Sequence, residues 1–237
     1  MAETFTALLC AHVLADFLFQ SNWMVANKAR IAGLAAHGAV VLALTLAVTG
    51  SFALPLWLLA LAHLGVDWGK AHARQRGLLP FLVDQALHLG LIAALAGLSP
   101  GLWASGLWAQ ILPLPPLLAL LAGLVLATRA GGFAIGMLMQ PWAEASPEGL
   151  PGGGRVIGLL ERGLIFLLVI SGQSAGIGFL IAAKSVLRFG SVGDDRKISE
   201  YVIIGTLASF GWAMAVAFGT VALMSALWPL GIPDLTP

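Results

Sequence analysis

The sequence predicts an all-α, polytopic transmembrane protein of about eight spans, and three observations carry that expectation. The chain of 237 residues is 59% hydrophobic and only 10% charged, against roughly a quarter charged in a soluble domain. No Asp, Glu, Lys or Arg interrupts Ile31 to Val66 or Gln85 to Thr128, and each run is long enough for two spans of about 20 residues. Nothing alternates with the period of a barrel strand, and an open sheet cannot satisfy its backbone in lipid, so helices are the physical default.

Turn residues and charges set the elements in order. Span one, 4–20, follows Met1-Ala2-Glu3, which lacks the basic region of a secretory signal, so a retained helix is expected. Span two, 33–50, follows Lys28 and Arg30 and stops at Gly50. Span three, 54–70, leads into Lys70, Arg74 and Arg76, and span four, 81–98, stops before Ser99-Pro100. Residues 99–116, with Pro100, Pro113, Pro115, Pro116, Trp103 and Trp108, read as an interfacial segment; these tryptophans, with Trp57 and Trp228, fit an aromatic belt. Span five, 117–139, contains Arg129, which has to snorkel, pair or mark a shifted boundary. Pro141, Pro147, Pro151 and Gly152-Gly153-Gly154 make 140–154 the clearest linker. Spans six to eight cover 156–172, 174–189 and 198–228. The expected organisation is therefore a four-helix unit over 1–98, an interfacial segment with the fifth span over 99–139, a cytoplasmic linker over 140–154 and a three-helix unit over 155–237.

Basic residues mark alternate connections: Lys28 and Arg30, then Lys70, Arg74 and Arg76, then Arg155, then Arg188, Arg196 and Lys197. The connections near Gly50, Ser99–Pro116 and Ser171 have none. The positive-inside rule then makes the odd loops cytoplasmic and leaves both termini outside. A net charge of +1 gives no indication of nucleic acid, and the single cysteine, Cys10, excludes a disulfide framework or a cysteine metal motif.

Within the apolar spans one set of residues recurs. His12 and Asp16 return fifty-one positions later as His63 and Asp67, and His37 returns as His88. The chain has only five His and six Asp, and a polar side chain in an apolar span needs a reason to be there. On the predicted topology spans one and three run in the same direction, a parallel hairpin repeat. Each pair lies on one helix face, roughly 6 Å apart along the axis, and Asp84 and His88 repeat it in reverse on an antiparallel helix. All seven side chains then fall in one layer, roughly 5–12 Å from the cytoplasmic helix ends.

Imidazole and carboxylate together suit Zn, with Mn or Fe as alternatives, and four inward-facing helices are a known way to build such a centre. His12, Asp16, His37, His63, Asp67, Asp84 and His88 are the candidate ligands. Seven exceed the four that one zinc takes, so the others can orient ligands, act as a base or hold a second ion. Asp16, Asp67 and Asp84 are the candidates for activating water. The bland alternative is that the pairs only hydrogen-bond between helices; haem ligation and proton relay are further options. His72, in a basic loop without a partner at the offset, reads as solvated. In the C-terminal part Glu161, Arg162, Lys184, Arg188 and Glu200 form a candidate patch for a phosphate or carboxylate headgroup, against the alternative of an interhelical pair such as Glu161 with Lys184.

The segment Ala11-His12-Val13-Leu14-Ala15-Asp16-Phe17-Leu18-Phe19-Gln20, with Lys28, Ala36-His37, Ala62-His63, Asp67 and Asp84-Gln85-Ala86-Leu87-His88, resembles an uncharacterised family of bacterial integral membrane proteins, a domain of unknown function. In longer members the likeness extends to Glu161-Arg162, Ala182-Ala183-Lys184-Ser185, Arg188-Phe189, Glu200-Tyr201 and Gly205-Thr206. The resemblance implies a multi-pass protein of the bacterial inner membrane and no particular activity. The layout is less specifically similar to intramembrane zinc hydrolases that act on lipids, and to cation-diffusion zinc transporters.

The reading that follows is a membrane-embedded, metal-dependent hydrolase acting on a lipid or lipid-phosphate at the cytoplasmic leaflet, with membrane lipids as partners. A divalent-metal transporter using the same residues is the alternative. A structural or regulatory module with non-catalytic His–Asp pairs is the third.

Overall fold

A computed structural model describes residues 1–73, 77–145, 150–189 and 196–229. Among these residues all regular secondary structure is helical. Two compact units are present, one built on Met1–Val125 and one on Leu126–Val221. The division falls inside the fifth predicted span, whereas the Pro/Gly-rich stretch lies further on.

In the first unit α1 (Ala2–Phe17) is the central helix. Ala7, Leu8, Leu9, Cys10, Ala11, Val13 and Ala15 are all buried, and a helix apolar all round has no face to give to solvent. The short helix α2 (Asn22–Ala26) starts where Ser21 Oγ accepts from the Met24 amide, an N-cap. Helix α3 (Ile31–Thr49) ends at Gly50, whose φ of 60° is the left-handed cap that suits glycine. Helices α4 (Leu54–Ala73) and α5 (Leu78–Leu98) follow, the latter with Pro80 in its first turn. Helix α6 (Leu114–Val125) opens on Leu114-Pro115-Pro116, where the missing amide hydrogens have no helical partner to lose.

Packing runs α1 to α3, α3 to α4, α4 to α5 and α5 back to α1, with α6 on α1 as well. The first four thus close a ring. Leu8, Leu56, Ile92 and Leu102 form a buried apolar cluster within the unit. Residues 99–113 do more than lie at an interface. Thr4 Oγ1 donates to Pro100 O at 2.9 Å and accepts from the Trp103 amide at 3.2 Å. Leu107 N donates to Gly50 O, and Trp108 Nε1 to Ala47 O at 2.8 Å. This segment therefore satisfies carbonyls that the end of α3 leaves over. Trp103 is 2% exposed, so it belongs to the core rather than to an aromatic belt.

The second unit begins with a π turn, Leu126–Ala130, that leads into α7 (Gly131–Met139) and a 3-10 turn at Gln140–Ala145. Trp212 Nε1 donates to Leu126 O and Arg162 to Thr128 O; donors inserted at carbonyls are what distort a helix ladder in this way. The exposed Arg129 sits in that turn. Helices α8 (Gly153–Ile170), α9 (Gly176–Phe189) and α10 (Arg196–Met224) complete the unit. Among the described residues four segments are long and apolar enough to cross a membrane: Ile31–Thr49, Leu78–Leu98, Leu114–Glu144 and Arg196–Met224.

Candidate metal centre

The four helices of the ring bring all seven histidines and aspartates of the repeated set into one buried cluster. His12 and Asp16 come from α1, His37 from α3, His63 and Asp67 from α4, Asp84 and His88 from α5. A four-residue step returns a side chain to the same helix face, so both members of each pair point inward. His37, Asp67 and His88 are 0–1% exposed. Gly38 helps α3 approach α4, since a Cβ there would lie 2.6 Å from Leu64 Cδ1.

At the middle of the cluster four atoms converge. His37 Nε2 lies 3.3 Å from Asp16 Oδ1, 3.2 Å from Asp67 Oδ2 and 3.2 Å from His63 Nε2. His63 Nε2 lies 3.4 Å from Asp16 Oδ1 and 3.6 Å from Asp67 Oδ2. Five edges of the figure are thus between 3.2 and 3.6 Å. A regular tetrahedron around zinc, with bonds of about 2.0–2.1 Å, has edges of about 3.3–3.4 Å. Asp16 Oδ1 and Asp67 Oδ2 are buried with no well-aligned hydrogen bond and face the His37 and His63 nitrogens, a placement that a bound cation or a protonated imidazole would compensate. The donor set and its spacing fit a divalent ion.

The outward oxygens are held separately. Asp67 Oδ1 accepts from Lys28 Nζ at 2.6 Å, and Asp16 Oδ2 from Gln85 Nε2 at 3.5 Å. Each carboxylate is therefore tied on one oxygen and free on the other, as a monodentate ligand with an outer partner would be. Lys70 Nζ donates to Asp84 Oδ2 at 2.6 Å, and Gln85 Nε2 donates to the same oxygen at 3.1 Å. The Lys28 contact depends on a close backbone approach: a Cβ on Gly33 would lie 2.3 Å from Asn27 O.

Among the described residues, further sets of three able to hold an ion are His12, Asp16 and His63, and Asp67, Asp84 and His88, each with ligand atoms within 4.8 Å of one another. A small cavity lined by Leu8, His12, Val41, His63, His88 and Ile92 adjoins the centre. It lies on the side away from Lys28 and Lys70. His72 hydrogen-bonds to Trp68 O and takes no part.

Of the C-terminal candidates, Lys184 Nζ donates to Glu161 Oε2 at 2.7 Å, so the interhelical pair weighed above is present. Arg162, 4% exposed, donates to Ser209 Oγ at 3.1 Å and Thr128 O at 3.0 Å. Glu200 pairs with Arg196 at the exposed start of α10. The Arg188 side chain lies outside the described residues. Sequence reasoning overlooked Lys28, Lys70 and Gln85 as partners of the centre. The available signal was that three carboxylates in apolar spans require donors, and two loop lysines and one span glutamine stood nearby.

A chain of apolar helices with a buried His/Asp cluster that can hold a metal ion defines a class, not an activity. Residues 4–107 match the family model described as "Protein of unknown function (DUF3307)". That segment contains the whole cluster, and the likeness to an uncharacterised domain family stands. Neither the curated proteins nor the solved structures contain a match.

Proposed function

We propose that the N-terminal unit is a membrane-embedded centre for a divalent ion of zinc type, held by Asp16, His37, His63 and Asp67, and that the protein carries this ion. The observation behind this reading is the set of five ligand–ligand edges between 3.2 and 3.6 Å. Coordination favours carriage over hydrolysis. A catalytic zinc keeps a position open for water, whereas here two imidazole nitrogens and two carboxylate oxygens face one another at five distances of 3.2–3.6 Å, enough protein donors for a complete zinc shell. A mixed carboxylate and imidazole set also holds zinc less firmly than thiolates do, which suits an ion that must leave. The hydrolase reading keeps one support, the cavity against His63, where water could join the ion if a carboxylate moved aside.

The alternation of basic loops supports eight spans in the bacterial inner membrane with both ends outward. The duplicated His/Asp offset supports a parallel hairpin repeat. Elemental analysis of gently purified protein tests the centre: about one zinc per chain is expected, bound more weakly in His37→Ala. Vesicles containing the protein then separate the activities. Zinc flux that stops in His37→Ala supports carriage; a metal-loaded protein that moves no zinc and cleaves a phospholipid phosphate would reverse the order of the two readings.

A further inference from the structure

The tetrahedron uses only half of the duplicated histidines. Under the fifty-one-residue offset Asp16 exchanges with Asp67, His12 with His63 and His37 with His88. The set Asp16, Asp67, His37 and His63 therefore has a counterpart: Asp67, Asp16, His88 and His12. We propose that this counterpart is a second position for the same ion, built from His12 and His88 and sharing the two carboxylates, so that the ion occupies one position or the other. The proposal rests on the metal-centre reading above.

Hydrogen-bond direction makes both histidines available. Gln85 points its amide hydrogens at Asp84 and Asp16, which leaves its oxygen facing His12 Nε2 at 3.3 Å. The opposite amide orientation would set an oxygen against two carboxylates. His12 Nε2 is thus the donor, and Nδ1 carries the lone pair. His88 Nδ1 lies 2.8 Å from Asp84 O, an acceptor only, so His88 Nε2 carries the lone pair. His12 Nδ1 and His88 Nε2 are both buried without a hydrogen-bond partner, and the two residues are 4% and 1% exposed.

Position follows the same pattern. His12 Nδ1 is 4.0 Å from Asp16 Oδ1, and in a separate set Asp67, Asp84 and His88 bring ligand atoms within 4.8 Å of one another. The two rings stack at 5.1 Å between centroids, and both line the cavity beside His63. An ion leaving His37 and His63 would meet two bare imidazole nitrogens while keeping its carboxylates. A lone pair buried without a donor is a cost that a structural histidine would avoid by using its other tautomer or rotamer.

The test uses the full-length protein in detergent, with Zn²⁺ as the probe and four forms: wild type, His12→Gln, His37→Ala and the double variant. Glutamine can keep the donor to Gln85. His12→Gln alone is expected to hold zinc within about threefold of wild type but to release it to a chelator at least about tenfold more slowly. His37→Ala is expected to retain weaker zinc binding through the second position, and the double variant to lose it. His88→Gln should repeat the His12→Gln behaviour on the other arm. The proposal is overturned if the double variant binds like His37→Ala, if His12→Gln weakens binding as much as His37→Ala, or if release rates do not change. Equal zinc binding by His37→Ala and wild type would instead overturn the metal-centre reading itself.

Discussion

The contact between Lys28 and Asp67 offers the sharpest energetic test. Asp67 is fully buried and Lys28 keeps 17% of its side chain exposed, with 2.6 Å between Nζ and Oδ1. Asp67→Asn preserves shape while removing the charge, and leaves Lys28 beside a neutral amide. Breaking a fully buried pair from one side costs about 3–5 kcal/mol; because Lys28 can turn partly to solvent, about 2–3 kcal/mol is expected here. In a Lys28→Met background the lysine charge is no longer stranded, so the cost of Asp67→Asn should fall by about 2 kcal/mol, with the His37 and His63 contacts the same in both backgrounds. The assay is reversible unfolding of the four forms in mixed detergent, with zinc removed so that coordination does not enter. A coupling below about 0.5 kcal/mol would mean that the two effects simply add, and the outer tie on Asp67 would then have no energetic meaning.

The remaining predictions concern other named contacts. X-ray absorption at the zinc edge should report a first shell of nitrogen and oxygen at about 2.0–2.1 Å with the outer-shell pattern of imidazole; six oxygens at longer distance would exclude the tetrahedron. Gly33→Ala forces a Cβ against Asn27 O and should cost about 1–3 kcal/mol, while raising the labelling of Lys28 by an amine reagent; unchanged labelling would separate Gly33 from the placement of Lys28. Arg162→Lys cannot reach Ser209 and Thr128 together, because an ammonium lacks the guanidinium fork. Its unfolding free energy should drop by about 1–3 kcal/mol, and an unaltered value would leave the π turn without its proposed support.

The helices were legible because apolar runs, proline and glycine punctuate the chain plainly. Span two ends at Gly50, and Gly50 has the positive φ that only glycine adopts cheaply. The meeting of His12, Asp16, His37, His63, Asp67, Asp84 and His88 was legible from four-residue spacing and the repeated offset. Which histidines face the middle was not, since spacing fixes a helix face but not the tilt and rotamer that put His37 and His63, rather than His12 and His88, at the corners. Lys28 was counted only as a topological charge; its long side chain reaches a carboxylate on another helix, a contact absent from local pattern. The π turn was hinted at by Arg129 in an apolar span, but its partners Trp212 and Arg162 lie far along the chain. Trp103 looked interfacial from composition, and the Thr4 hydroxyl that holds its backbone is ninety-nine positions away.

The apolar cluster of Leu8, Leu56, Ile92 and Leu102 lies beyond the histidines, on the side away from Lys28 and Lys70. Besides packing helices, it is an electrical insulator. A bare divalent ion entering that layer would meet no ligand, at a solvation cost on the order of tens of kcal/mol. On the proposed carriage reading, an ion held at the histidines would have to pass this apolar layer to leave on that side, and the layer would have to open for it.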